Sequence, residues 1–270
     1  NIYIKNYISK WSNKKVFVMK DFVILGKYIS SKIVFNSNKI DNNIFNILNK
    51  INNINIINNN YNINKTVYNN YIKSMTYFIN NPNNNSLVSL LLEVSKEKDE
   101  ILHQIPHFIF PIVGLFVTTI PRLLVLLSNH KNVLNNVIKE INNKKLNTND
   151  IYKLSYLRKC IMETLRLNNP VNTTFRTLLQ NFTFDNKYKF KKGTQFLIFN
   201  NPVLRENEFF KEPNKFKPDR WNSQMEKSYY AISFNQGPQR CPGKELAIFL
   251  IQSFIYNFFI IKKINNKSLK

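Results

Sequence analysis

Cysteine, glycine and histidine are scarce in this 270-residue chain, which has two, five and three of them. Two cysteines exclude a disulfide scaffold, and they form no CxxC pair of the kind structural zinc sites use. Acidic residues are also few, 16 against 39 Lys and Arg, which leaves a formal charge of +23. A basic stripe would point to nucleic acid, but the lysines here are scattered. They stand in a chain rich in Asn, Ile, Phe and Tyr, the residues AT-rich coding favours. No nucleic-acid partner is expected. Long uninterrupted apolar runs are missing too. Residues 108–120 contain Pro111 and are closed by Pro121 and Arg122, and 246–261 are broken by Gln252 and Asn257. Both fall short of the roughly 20 residues needed to span a bilayer, so buried helices are expected. No Met opens the chain and no charged-then-apolar signal region precedes it. The expectation is an intracellular protein with no transmembrane segment in this chain, any membrane association coming through a missing N-terminus.

What is present supports a core: 43% of residues are apolar and 14% aromatic. Helical spacing covers 20–35, 66–79 and 86–102, and the apolar stretch that follows continues towards Ile141, whereas the Asn/Ile-rich run 41–64 has no readable period. Asp150 is expected to cap a helix with Ile151, Leu154, Leu157, Ile161 and Leu165 inward, ended by Pro170. Short β-prone runs come next at 173–179, 182–184, 188–190 and 194–199, with Lys192-Gly193 as a turn. Residues 201–233 are irregular, and a last helix begins at Pro242. The fold class read from this is mainly α with small β-sheets (α+β).

Residues that persist against a composition bias are informative. All seven arginines (Arg122, Arg158, Arg166, Arg176, Arg205, Arg220 and Arg240) lie beyond residue 120. Two of the five glycines, Gly237 and Gly243, flank Cys241. Cys241 is expected at a helix N-cap with Pro242 at the first helical position, where unsatisfied N–H groups and the helix dipole favour a thiolate. The glycines let a flat ligand approach the backbone, and Phe234 can pack on its face. Such a thiolate suits an iron held by one sulfur. A buried capping cysteine and a nucleophilic cysteine served by a base from elsewhere in the fold are the other readings.

Phe234, Gly237, Cys241 and Gly243 resemble the F-x-x-G-x-R-x-C-x-G loop of the cytochrome P-450 haem-thiolate proteins, with one departure. The basic residue two before the cysteine is Gln239, and Arg240 falls one place later. The resemblance implies haem b bound through Cys241 as axial iron ligand, with Phe234, Gly237, Gly243, Arg240 and Arg176 around it. Arg176, at the start of the first β-prone run, is the arginine that pairs with a haem propionate in the family. Glu163 and Arg166 are similar to the E-x-x-R pair of the family's helix. Residues 216–221, which include Arg220 and Trp221, look like its F-x-P-x-R-F/W element. The implied role of Glu163, Arg166 and Arg220 is a buried network that positions the cysteine loop. The family's oxygen-activating acid and alcohol fall at Gly114 and Leu115, neither of which relays a proton, so Thr118 and Thr119 are the implied proton relay one turn on.

The resemblance covers 105–261 with specific motifs, and from Trp11 with helical likeness alone. It implies one partial domain over 1–270, with 1–104 helical and Asn-rich and 105–270 carrying the haem-site half. The implied activity is a monooxygenase that inserts one oxygen atom from O2 into an apolar substrate, with electrons from a separate reductase. A catalytically impaired or haem-free remnant of the fold, or an enzyme that rearranges a peroxide, stands beside it. His103 and His107, four apart, lack the acid of H-E-x-x-H and a third ligand. They read as ordinary helix residues. Cys160 reads as a core thiol.

Overall fold

The computed structural model describes residues 1–52, 65–95, 97–143, 146 and 150–267, so much of the Asn/Ile-rich run lies outside the described residues. Two compact units emerge: Asn1–Pro121 with Ile260–Lys270, and Arg122–Phe259. The described residues are mostly helical with two small sheets.

The first unit holds α1 (Ile2–Ser9), α2 (Met19–Phe35), α3 (Asn42–Asn52), α4 (Lys65–Asn80), α5 (Leu87–Val94) and α6 (Lys98–Gly114). Their boundaries have local causes. The Val18 N–H donates to the Asp21 carboxylate at 2.9 Å and opens α2. Asn36 closes α2 in the left-handed region at φ 49°, which asparagine tolerates. Ser86 and Ser89 satisfy each other's N–H groups at the start of α5. The core joins Val34 and Phe35 of α2, Ile44 and Leu48 of α3, Tyr71 and Met75 of α4, and Ile101, Ile105 and Ile109 of α6.

At Gly26 the α2 backbone comes so close that a Cβ there would stand 3.1 Å from Val113 Cα. The Lys262 ammonium closes the loop after α1, donating to the carbonyls of Trp11, Ser12 and Lys14. Burial pushes its pKa down.

Prolines do not stop α6. It runs through Pro106 and Pro111 into a π-helical turn, Leu115–Thr119, and on into α7 (Ile120–Asn129). In that turn the Ile120 N–H reaches the Leu115 carbonyl. Pro121 has no N–H for the Val117 carbonyl, and the wider turn lies directly ahead of it. The sequence reading of two short apolar runs is therefore corrected. The continuous helices Lys98–Asn129 (32 residues) and Lys244–Lys262 (19 residues) are long and apolar enough to cross a membrane by length and composition alone. Within their most apolar windows 33% and 44% of residues are buried.

The second unit contains α8 (Lys131–Asn143), α9 (Ser155–Leu167), α10 (Asn200–Leu204), α11 (Ser223–Lys227) and most of α12 (Lys244–Lys267). Asp150 does not start α9 as expected; a 3-10 turn at Ile151–Lys153 intervenes. The helix begins at Ser155 because Glu140 of α8 accepts from the Tyr156 and Leu157 N–H groups, both at 3.0 Å. A carboxylate there meets the orphan donors of the first turn. Leu157, Ile161 and Leu165 of α9 are buried, as are Ile248, Ile251 and Phe254 of α12. Gln252 Nε2 donates to the Leu154 carbonyl at 2.8 Å and ties α12 to the start of α9.

Between α9 and α10 lie two antiparallel pairs. β1 (Thr173–Thr177) pairs β4 (Gln195–Phe199) with Phe175 opposite Leu197, and β2 (Phe182–Phe184) pairs β3 (Tyr188–Phe190). Gly193, at φ 86°, donates to the Leu178 carbonyl at 2.8 Å and makes the turn ahead of β4.

Gly26→Val is expected to destabilise the protein by about 1–3 kcal/mol, because the added methyls meet the Val113 backbone. Urea denaturation followed by circular dichroism measures it.

Candidate functional site

α9 places Glu163 and Arg166 three residues apart on one face, both fully buried. Glu163 Oε2 accepts from Arg166 Nε at 2.8 Å and from Trp221 Nε1 at 2.9 Å. Its Oε1 accepts from Arg166 Nη2 and the Lys217 N–H, both at 2.9 Å, and from Arg220 Nε at 3.1 Å. One carboxylate thus receives five hydrogen bonds. Arg166 turns its remaining N–H groups to the carbonyls of Leu204 and Pro213, at 2.7 Å each, and Lys215 at 3.3 Å. Arg220 Nη1 reaches the Lys211 carbonyl at 2.9 Å. The irregular stretch 204–221 is held by these bonds in place of a ladder. Complete pairing is what makes a buried ion pair tolerable, since a buried charge stripped of its partner costs about 3–5 kcal/mol.

From Trp221 the chain enters α11, whose first turn is capped by Asn222 accepting from the Met225 N–H at 2.8 Å. The cysteine loop comes next. Gln236 Nε2 donates to the carbonyls of Ser228 at 3.0 Å and Ala231 at 3.2 Å. Gly237 takes φ 68°, a left-handed conformation suited to glycine. The Arg240 N–H closes a turn on the Gly237 carbonyl at 3.1 Å, and the Cys241 N–H donates to the Phe234 carbonyl at 2.8 Å. The loop is thereby fastened across its mouth, bringing Phe234, Gly237, Cys241 and Gly243 together.

Cys241 is a free, partly exposed thiol. A Cβ at Gly243 would lie 3.9 Å from its sulfur. Cys241 does not occupy the N-cap expected for it. The first helical bond runs from the Ala247 N–H to the Gly243 carbonyl, so α12 starts at Lys244 and the cysteine stands two residues ahead of the cap. Pro242 and Gly243 form a turn that the proline-first rule for helices did not foresee.

Of the other residues singled out, only Gln239 and Arg240 lie in this loop. Arg176 sits on β1, and its Nη1 donates to its neighbour Phe175's carbonyl at 2.7 Å. Arg240 and Gln239 are exposed. Thr118 and Thr119 belong to the first unit, in the π turn. Thr118 Oγ1 donates back to the Gly114 carbonyl at 2.8 Å and lies 3.5 Å from Thr119 Oγ1. His103 is occupied by Tyr68 Oη at 2.9 Å and the Asp99 carbonyl at 2.7 Å. Among the described residues no group of three His, Cys, Asp or Glu could hold a metal. Cys160 is fully buried, and burial pushes its thiol pKa up.

Trp221 as a donor to Glu163 and the backbone carbonyls around Arg166 went unread in the sequence. Backbone acceptors leave no residue signature, whereas Trp221 carried one, as one of only two tryptophans.

The family model for cytochrome P450 matches residues 3–259, and the chain belongs to that family. It is 32% identical over 196 residues to beta-amyrin 6-beta-monooxygenase of Solanum lycopersicum, covering 66% of this chain and 41% of that protein. It is 29% identical over 183 residues to Cytochrome P450 716A2 of Arabidopsis thaliana, covering 63% and 38%. The chain therefore spans about two fifths of the length of these relatives. The solved cytochrome P450DA haem domain superposes with a TM-score of 0.77 at 17% identity, over 94% of this chain and 64% of that one. Cytochrome P450 CYP102L1 gives 0.80 at 16%, over 97% and 69%. These structures share the fold.

Glu163→Ala is expected to cost about 3–5 kcal/mol, because it leaves the Arg166 guanidinium buried without its carboxylate. Arg220→Ala is expected to cost less, since Arg220 gives Glu163 a single bond and is partly exposed. Urea denaturation of the two variants beside the parent protein measures the difference.

Proposed function

We propose that this chain carries the cysteine-bearing part of a haem-thiolate monooxygenase, which inserts one oxygen atom from O2 into an apolar substrate using electrons from a separate reductase. The observation that carries the reading is the free, partly exposed Cys241 thiol on the closed loop of a cytochrome P450 family chain. The donor set fits haem b. A single cysteine sulfur would serve an iron whose other ligands come with the macrocycle, and among the described residues no group of three His, Cys, Asp or Glu could hold a bare metal ion. Gly243 adds no side chain beside that sulfur.

When bound, haem b supplies the iron that activates oxygen, and electron donation from a thiolate favours O–O cleavage. Cys241 would hold the iron through its thiolate, and Phe234 would pack against the group. Arg176 has N–H groups beyond the one given to Phe175, and with Arg240 it would pair the propionates. Glu163, Arg166 and Arg220 fix the segment ahead of the loop, and so its position. An apolar substrate lies against the helix around 113–119. In that helix Thr118 Oγ1, already donating to Gly114, accepts from a water and with Thr119 holds it for proton delivery. The absence of an acid at Gly114 and Leu115 favours a second reading. There the protein is catalytically impaired, or takes its oxygen from a peroxide substrate that needs no such delivery.

The visible spectrum of the reduced protein under carbon monoxide tests the reading, run beside Cys241→Ser. A red-shifted ferrous–CO Soret band that vanishes in the variant is expected. Well-folded protein that retains no haem, or a variant with the same band, overturns it. Dioxygen uptake with a reductase and an apolar substrate then separates the two readings: uptake supports the monooxygenase, and peroxide turnover without uptake the alternative.

A further inference from the structure

Arg158 lies on α9 five residues ahead of Glu163 and is not among the residues assigned above to haem or substrate. Its guanidinium grips two carboxylates, each in a bidentate fashion. Nε and Nη2 donate to Glu226 at 2.9 and 2.8 Å, and Nη1 and Nη2 donate to Glu245 at 2.7 and 2.9 Å. Lys244 Nζ adds a bond to Glu226 at 3.1 Å. The two cations and two carboxylates balance.

The places of these acids in the chain matter. Glu226 is in α11, ahead of the cysteine loop, and Glu245 is in the first turn of α12, four residues after Cys241. One side chain on the rigid α9 therefore fastens both ends of 227–244, the stretch that contains the loop. The loop's own bonds, Cys241 to Phe234 and Arg240 to Gly237, fix its internal shape without fixing where its base stands. Lysine cannot replace Arg158, because four of the five guanidinium N–H groups are used and an ammonium does not grip two planar carboxylates side by side.

We infer that Arg158 is a positioning residue for Cys241, holding the base of the cysteine loop and the start of α12 to α9 through Glu226 and Glu245. The inference rests on reading Cys241 as the haem ligand. Glu163 and Arg166 fix 204–221 and Arg158 fixes 226–245, so α9 organises two consecutive segments. Arg158, 25% exposed, and Glu226, 17%, are partly shielded from water, whereas Glu245 is 72% exposed. The Glu226 arm is therefore the firmer of the two.

Arg158→Ala, Arg158→Lys and Glu245→Gln of the full chain, reconstituted with haem b, are compared with the parent by amide hydrogen exchange and by the ferrous–CO spectrum. In Arg158→Ala the amides of 234–247 are expected to exchange about fivefold faster while those of 204–221 are unchanged. A smaller share of the haem is expected in the thiolate-ligated band. Arg158→Lys is expected to resemble Arg158→Ala. Glu245→Gln keeps the Glu226 arm and is expected to shift both readouts the same way by less; it serves if Arg158→Ala does not fold. Unchanged exchange at 234–247 together with an unchanged thiolate band overturns the inference, and so does faster exchange spread evenly over 204–247. A parent protein without the thiolate band would sink the haem reading, with the exchange pattern still reporting on the positioning. A parent band that no variant alters would sink the positioning alone.

Discussion

The arrangement of the second unit depends on the Glu163 carboxylate. It is fully buried, so its charge must be met inside the protein, and it is met by Arg166, Arg220, Trp221 and the Lys217 N–H. Each donor comes from a fixed place: Arg166 from the same helix, the others from a stretch with no helix longer than one turn and no strand. A segment with little regular structure has few backbone bonds of its own. Here its carbonyls at Leu204, Lys211, Pro213 and Lys215 are taken up by the two arginines. Any one of these bonds is modest, but together they fix where residue 221 leaves the core. The α11 helix and the cysteine loop inherit that position.

The cysteine loop shows the same economy of means on a smaller scale. A bond from the Cys241 N–H to Phe234 closes it, and the Gln236 side chain pins it to the two carbonyls just ahead. The thiol is left outside these bonds and partly exposed, and among the described residues it belongs to no group of three His, Cys, Asp or Glu that could hold a metal. The proposed use of Cys241 comes from this chemistry and from the family match together; the likeness to solved structures at 16–17% identity contributes the fold.

Much of this was legible in the sequence. The helical spacing of 20–35 and 66–79 corresponds to α2 and α4, and the four short β-prone runs to the four strands. The pairing of Glu163 with Arg166 follows from their spacing on one helix face. Four features were not legible, each for a physical reason. Pro111 and Pro121 read as breaks, yet the helix passes both and widens into a π turn before the second. The start of α9 is set by Glu140, fifteen residues ahead of Ser155, so local capping signals pointed to the wrong residue. Cys241 was placed on a helix cap from the proline beside it, but the first helical bond forms at Gly243. Arg158 was visible only as one of seven persistent arginines, because its carboxylate partners stand 68 and 87 residues away.

The most direct measurement is X-ray absorption at the iron edge of the haem-loaded protein, with Cys241→Ser as the comparison. The account predicts one sulfur in the first shell of the iron, lost in the variant and replaced by a lighter atom or by an open position. A parent protein whose iron shell contains only nitrogen and oxygen, with the protein folded and haem bound, would contradict it.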